Sequence, residues 1–217
     1  MVARSGSVFV LLLLVAALAM AGCGGDDGDG NGNGSTGAAA AASGSSVIPN
    51  INSIDELKNR FNEDGGIRLI VVLSPTCKTC LDGSRYLQAS VLEKLPDAEL
   101  HVYAIWTPAL GSDEASKVDL SVLTDSRVSH FWDATGAVAK WFAVQDVYLN
   151  EKIEGPIAYN FFSLHGADAQ WDEIPSPLAS FGGGSVNGSL MRFRGTLNRD
   201  VNRLVDGEEP GFIPLGK

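Results

Sequence analysis

Cys77-Lys78-Thr79-Cys80 is where the reactive side chains of this sequence concentrate. The chain has three cysteines, and the third, Cys23, stands at the end of an apolar leader. A CxxC that is the only available pair in an exported chain points to redox or metal chemistry before a structural disulfide. Cys80, Ser84, Leu87, Val91 and Leu95 recur at helical spacing, so Cys77 falls at or near a helix N-terminus, and Pro96 ends that helix. One helical turn brings two such sulfurs within disulfide reach. The free amides and partial positive charge of a helix start also stabilise a thiolate. Cys77, at the end of the preceding strand, is therefore the expected attacking thiolate, and Cys80, inside the helix, the expected resolving thiol. Lys78, between them, is expected to lower the pKa of Cys77 further by its charge. Leu81 follows Cys80 where haem attachment would need histidine, and the site implies no cofactor.

The flanking pattern supplies elements to hold this pair. Ser53 and Glu56 form a capping box ahead of Leu57 and Phe61, and Gly65-Gly66 closes that short helix. Residues 67–73, IRLIVVL, read as a strand buried on both faces, broken by Ser74-Pro75-Thr76 just before the CxxC. Residues 99–106 form a second strand, 112–125 a helix, 125–133 a short strand and 137–144 a helix. Pro156 opens a third long strand over 157–164. Gly182-Gly183-Gly184 is a loop, 189–193 alternates as an edge strand, and 196–205 closes with a helix. Strands alternating with helices imply an α/β layered sheet. The tryptophans Trp106, Trp132, Trp141 and Trp171 are expected in the core or along a groove.

A CxxC at a strand-to-helix junction, within this order of elements, resembles the thioredoxin fold. Asp133-Ala-Thr-Gly136, the apolar helix after it and the proline-led strand resemble the TlpA-like and peroxiredoxin-like branch over residues 53–206. The resemblance implies a central mixed sheet flanked by helices, thiol–disulfide oxidoreductase activity, and protein thiols or disulfides as partners. It also implies a cis-proline facing the CxxC, so Gly155 and Pro156 become the expected substrate-binding pair; the other reading of Pro156 is a trans turn proline. The chain departs from thioredoxins proper at three places. Thr76 stands in place of the tryptophan before the first cysteine, Val71 in place of the buried aspartate, and no proline lies inside the CxxC.

Two other classes compete. A CxxC with a distant histidine, His101, His130 or His165, could bind copper, although the copper-binding relatives of this fold use a wider CxxxC. A structural disulfide in a non-catalytic lipoprotein binding module is the other, although so short a loop stabilises little on the chain-entropy model.

Arg4 and the apolar run 8–20 form a secretory leader, too short for a membrane span of about 20 residues. Met20-Ala21-Gly22-Cys23 resembles the bacterial lipobox, which implies cleavage after residue 22, lipidation of Cys23 and acylation of the new amino terminus. Gly24 in place of aspartate points, by the same resemblance, to an outer membrane. Residues 23–46 hold the lipidated cysteine and a Gly/Asp/Ala/Ser tether without a larger aliphatic residue, unable to offset its ordering entropy. Residues 47–217 are left for one globular domain in the cell envelope, facing the periplasm or exterior. A net charge of −10 argues against nucleic acid as a partner. Cys23→Ala is expected to move the protein out of the membrane fraction and to leave its leader uncleaved. Soluble wild-type protein carrying an unmodified Cys23 would contradict the assignment.

Overall fold

The computed structural model describes residues 48–148, 155–183 and 190–208; the leader, Cys23 and the tether lie outside them. The chain enters through helix α1 (Ile54–Glu63), where Ser53 Oγ accepts from Glu56 N at 3.2 Å. Leu57 and Phe61 turn inward from it. Strand β1 (Ile67–Leu73) follows with all seven residues buried. Helix α2 (Lys78–Leu87) continues into a π-helical turn over Gln88–Leu92, then strand β2 (Leu100–Trp106) and strand β3 (Val128–Trp132). Helix α3 (Ala137–Ala143), strand β4 (Phe161–His165), the short strands β5 (Gln170–Trp171), β6 (Pro175–Ser176) and β7 (Ser180–Gly182), and helix α4 (Arg194–Val205) complete it.

The main sheet runs β3-β2-β1-β4-β7. Its first three strands are parallel, while β4 lies antiparallel to β1 and β7 antiparallel to β4. This mixed sheet with helices on both faces is the thioredoxin-like α/β fold expected from the order of elements. The pleat sorts the core into two. Leu69, Val71 and Leu73 of β1 join Cys77, Cys80, Leu87 and Val201 on the α2/α4 face. Ile70 and Val72 join Leu57, Phe61, Val138 and Phe142 on the α1/α3 face. Leu73 pairs with Trp106, Trp106 with Trp132, and Val72 with Phe161, so the carboxyl ends of the parallel strands and the start of β4 meet at one edge. In open α/β sheets ligands bind at that edge, and the CxxC sits there.

The Asp133-to-Gly136 stretch has a physical role of its own. The Asp133 carboxylate accepts from Ala137 N at 2.8 Å and Ala139 N at 3.1 Å, capping α3, and Gly136 holds φ of 67° to let the chain turn into the helix.

Several expectations are corrected. Residues 112–125 form two short 3-10 turns, Ala115–Lys117 and Leu120–Val122, because only Val122 and Leu123 are buried and no apolar helical face exists. The strand after Pro156 begins at Phe161, since residues 155–157 bend and Asn160 turns the chain with φ of 55°. The Gly155–Pro156 bond is not cis; the cis bond among the described residues is Ser176–Pro177. The edge strand is β7. A Cβ on Gly182 would meet Phe193 at 2.6 Å and Phe162 at 2.8 Å, so only glycine lets it pass beneath those rings. Residues 190–193, which lie within the expected edge strand, make the turn into α4. His165 is fully buried, its Nε2 2.6 Å from Ser163 Oγ and its Nδ1 3.1 Å from Pro177 O. Trp106, Trp132 and Trp171 are core residues as expected.

Gly66 adopts φ of 71°, and a Cβ there would lie 2.5 Å from the Glu99 carbonyl oxygen. Gly66→Ala adds left-handed strain to a backbone clash and is expected to cost about 2–3 kcal/mol. Denaturant titration should show a lowered midpoint; an unchanged one would contradict this close approach.

Candidate active site

Cys77 is the N-cap of α2, with extended backbone at φ of −80° and ψ of 108°, and its Sγ accepts from Cys80 N at 3.3 Å. That is the place where a serine or aspartate oxygen ordinarily satisfies an orphan helix donor. Thr79 Oγ1 lies 3.3 Å from the same sulfur. Both cysteines are free thiols, Cys77 7 % and Cys80 0 % exposed. Their environments drive them apart. The Cys80 thiol, then the Thr79 hydroxyl and the amides of Cys80 and Thr79, favour the Cys77 thiolate and bring its pKa down to about 6 against opposing burial. Cys80 is pushed strongly up, first by burial and then by the hydrogen bond and charge of Cys77.

The Lys78 ammonium is 87 % exposed and pairs with Asp82 at 2.6 Å, one helical turn along, while the leading influences on Cys77 are hydrogen bonds and burial. A long side chain at the first helical position turns outward, and a carboxylate four residues on captures it.

Three residues that the sequence reading passed over shape the site. Asp113, in the loop after β2, accepts at Oδ2 from Ser74 Oγ (2.8 Å) and Leu110 N (2.8 Å). At Oδ1 it accepts from Thr76 Oγ1 (2.6 Å) and Thr76 N (3.2 Å). It thereby fastens the Ser74-Pro75-Thr76 approach to Cys77, and its charge adds to the pressure on Cys80. Asn160, 3 % exposed, donates from Nδ2 to Thr79 Oγ1 at 2.9 Å. Tyr159 packs against the same core, and burial, followed by the charges of Cys77, Cys80 and Asp113, raises its pKa. The available signals were general: loops at the carboxyl ends of strands carry site residues, and asparagine tolerates left-handed backbone. Gly155 and Pro156 are exposed on the bend before β4, and it is Asn160 that reaches the CxxC turn.

The histidines are not gathered at the pair. His101 and His165 both pair with Arg68, near the end of β1 remote from Cys77. His130 is engaged at both nitrogens: Nδ1 accepts from Trp106 Nε1 at 3.0 Å, which leaves Nε2–H to donate to Leu123 O at 3.0 Å. No group of three metal-ligating side chains occurs among the described residues.

No family model and no curated protein matches the chain. Among solved structures it is similar to a thioredoxin-like protein in the oxidised form, at 20 % identity over 67 % of this chain and 81 % of that one, with a TM-score of 0.45. It is also similar to a secreted Mycobacterium tuberculosis disulfide oxidoreductase homologous to E. coli DsbE, at 14 % identity over 66 % and 83 %, with a TM-score of 0.41. A hypothetical protein from Sinorhizobium meliloti 1021 aligns at 16 % identity over 71 % and 78 %, with a TM-score of 0.47.

The depressed pKa makes the reduced protein's stability depend on pH. Between about 6, where native Cys77 ionises, and 9, where the unfolded thiol does, only the unfolded chain holds that proton. Stability contributed by the thiolate is therefore lost as pH falls through 6 and fully present above 9. Relative to Cys77→Ser, reduced wild type should gain stability steadily across this window in denaturant titrations. Parallel pH profiles for the two proteins would refute the lowered pKa.

Proposed function

We propose that the protein is a thiol–disulfide oxidoreductase of the cell envelope, tethered to the membrane through a lipid on Cys23 and acting on protein thiols or disulfides. The observation that carries this reading is the divergence of two sulfurs one helical turn apart: Cys77 at the helix start, favoured as thiolate, and a fully buried Cys80 held as thiol. Nucleophilic attack needs the first and resolution needs the second.

The Cys77 thiolate attacks one sulfur of a substrate disulfide. A bond forms between Cys77 Sγ and that sulfur, and the other substrate sulfur leaves as a thiolate and takes a proton from solvent. Cys80 then gives up its proton and attacks Cys77 Sγ. The bond between Cys77 and the attacked substrate sulfur breaks, that sulfur leaves as a thiolate and takes up the proton that Cys80 gave up, and the protein is left with a Cys77–Cys80 disulfide. Two electrons have passed from the pair to the substrate, and the same steps in reverse oxidise a substrate dithiol. The exposed bend at Gly155 and Pro156 is proposed to border the edge where the substrate chain lies, with Tyr159 and Asn160 nearer the sulfurs.

Stabilising a thiolate stabilises the reduced form and makes the pair more oxidising. The lowered Cys77 pKa is therefore expected to make the pair more oxidising than one built on an unshifted thiol. Cys80→Ser should accumulate mixed disulfides with envelope proteins because the intermediate cannot close, and Cys77→Ser should trap almost none. No trapped partner in either variant, together with equal alkylation of both thiols, would remove the oxidoreductase reading.

A further inference from the structure

Asn160 is the one non-glycine residue with positive φ among the described residues, at 55°. Asparagine is among the few residues that accept such backbone at modest cost. That constraint explains a small set of residue types at this position, and the hydrogen bonds narrow it to one.

Leu190 N donates to Asn160 Oδ1 at 3.3 Å. A backbone N–H can only donate, so this contact fixes which end of the amide is oxygen and turns the amide nitrogen toward Thr79. Nδ2 then donates to Thr79 Oγ1 at 2.9 Å. A hydroxyl has a single hydrogen. With a donor already occupying its oxygen, that hydrogen is free to serve an acceptor, and the acceptor in reach is Cys77 Sγ at 3.3 Å. A thiolate only accepts, so the three contacts form one directed series: Leu190 N–H to Asn160 carbonyl, Asn160 amide to Thr79 oxygen, Thr79 hydroxyl to sulfur.

We propose that Asn160 is a positioning residue that orients the Thr79 hydroxyl as a hydrogen-bond donor to the Cys77 thiolate, and so sets the reactivity of that sulfur from the segment that leads into β4. Glycine at 160 would meet the backbone requirement and leave the hydroxyl unoriented. Aspartate would meet it too, but would present an acceptor that competes with sulfur for the hydrogen and adds negative charge. The relay is braced from behind. Leu190 packs closely on α2, where a Cβ on Gly83 would fall 3.1 Å from Leu190 Cβ, so the residue that aligns the amide is pressed against the helix that carries Thr79. The lowered pKa of Cys77, to which Thr79 contributes, agrees with this arrangement.

The proposal rests on Cys77 as the attacking thiolate, and its test reads the sulfur directly. The rate of iodoacetamide labelling at Cys77 is followed against pH in the reduced full chain, resolved from Cys80 by peptide mass spectrometry. Thr79→Val and Asn160→Gly should each slow labelling at pH 5 by roughly tenfold, the loss of one charge-assisted hydrogen bond. Thr79→Ser should keep the wild-type profile. Asn160→Asp should slow labelling at least as much as Asn160→Gly, and it serves as the second variant should glycine loosen the fold. Thr79→Val/Asn160→Gly should be no slower than the slower single variant, because both changes break one series. A wild-type profile in both Asn160 variants, or additive slowing in the double variant, would overturn the proposal. Trapping in Cys80→Ser is scored separately, so failure of the exchange reaction and failure of the relay give different results.

Discussion

A buried sulfur just beyond β1 can hold negative charge only if donors surround it, and most of the site follows from meeting that need. The first turn of α2 supplies the Cys80 amide because Cys77 occupies the N-cap position, so the charge and the helix stabilise each other. The N-cap position in turn requires extended backbone at Cys77, which the Ser74-Pro75-Thr76 break provides and Asp113 fastens with three hydrogen bonds. Beneath it, β1 is rigid because both faces are packed. No residue of that strand is accessible enough to relax when the sulfur changes charge.

Much of this frame was legible in the sequence, for local reasons. A seven-residue run that is aliphatic but for Arg68 reads as a doubly buried strand, and Ser53 with Glu56 announces a helix start through hydrogen bonds made within one turn. The Asp133-to-Gly136 stretch likewise works locally, as a cap and a left-handed turn. The departures arise where a distant contact decides the outcome. Asp113 sits in a polar stretch that suggested a helix, yet its carboxylate is committed to residues nearly forty positions earlier. Asn160 interrupts a continuous apolar pattern, and only the approach of Thr79 explains the break. The place of β7 was hidden because it depends on Phe193 lying over Gly182, a contact between segments that no periodicity records.

Lys78 and His165 show the same principle acting on charge. A cation adjacent in sequence to a sulfur is expected to act on it, but helix geometry points position 78 toward Asp82 and solvent. A histidine at a strand end is expected to be wet. Here Phe61 packs edge-on against His165, and Ser163 and Pro177 take its two nitrogens, so burial brings its pKa down to about 3 and it stays neutral. Proximity along the chain sets neither electrostatic partner; direction and burial do.

The position of Asp113 bears on how the proposed exchange would order its two steps. Strand β1 carries no acidic residue and Val71 within it is fully buried, so no carboxylate reaches toward Cys80 from β1. The proton on Cys80 is held first by burial, then by the hydrogen bond and charge of Cys77, with Asp113 adding less. Once Cys77 enters a mixed disulfide its charge is gone and its sulfur is a poor acceptor, so the second and third of those influences vanish together while burial and Asp113 remain. Ionisation of Cys80 therefore becomes easier only after Cys77 has reacted. In the proposed exchange the resolving thiol would thus be kept protonated while the attacking thiolate is free, and would be released by the bond that it must next break.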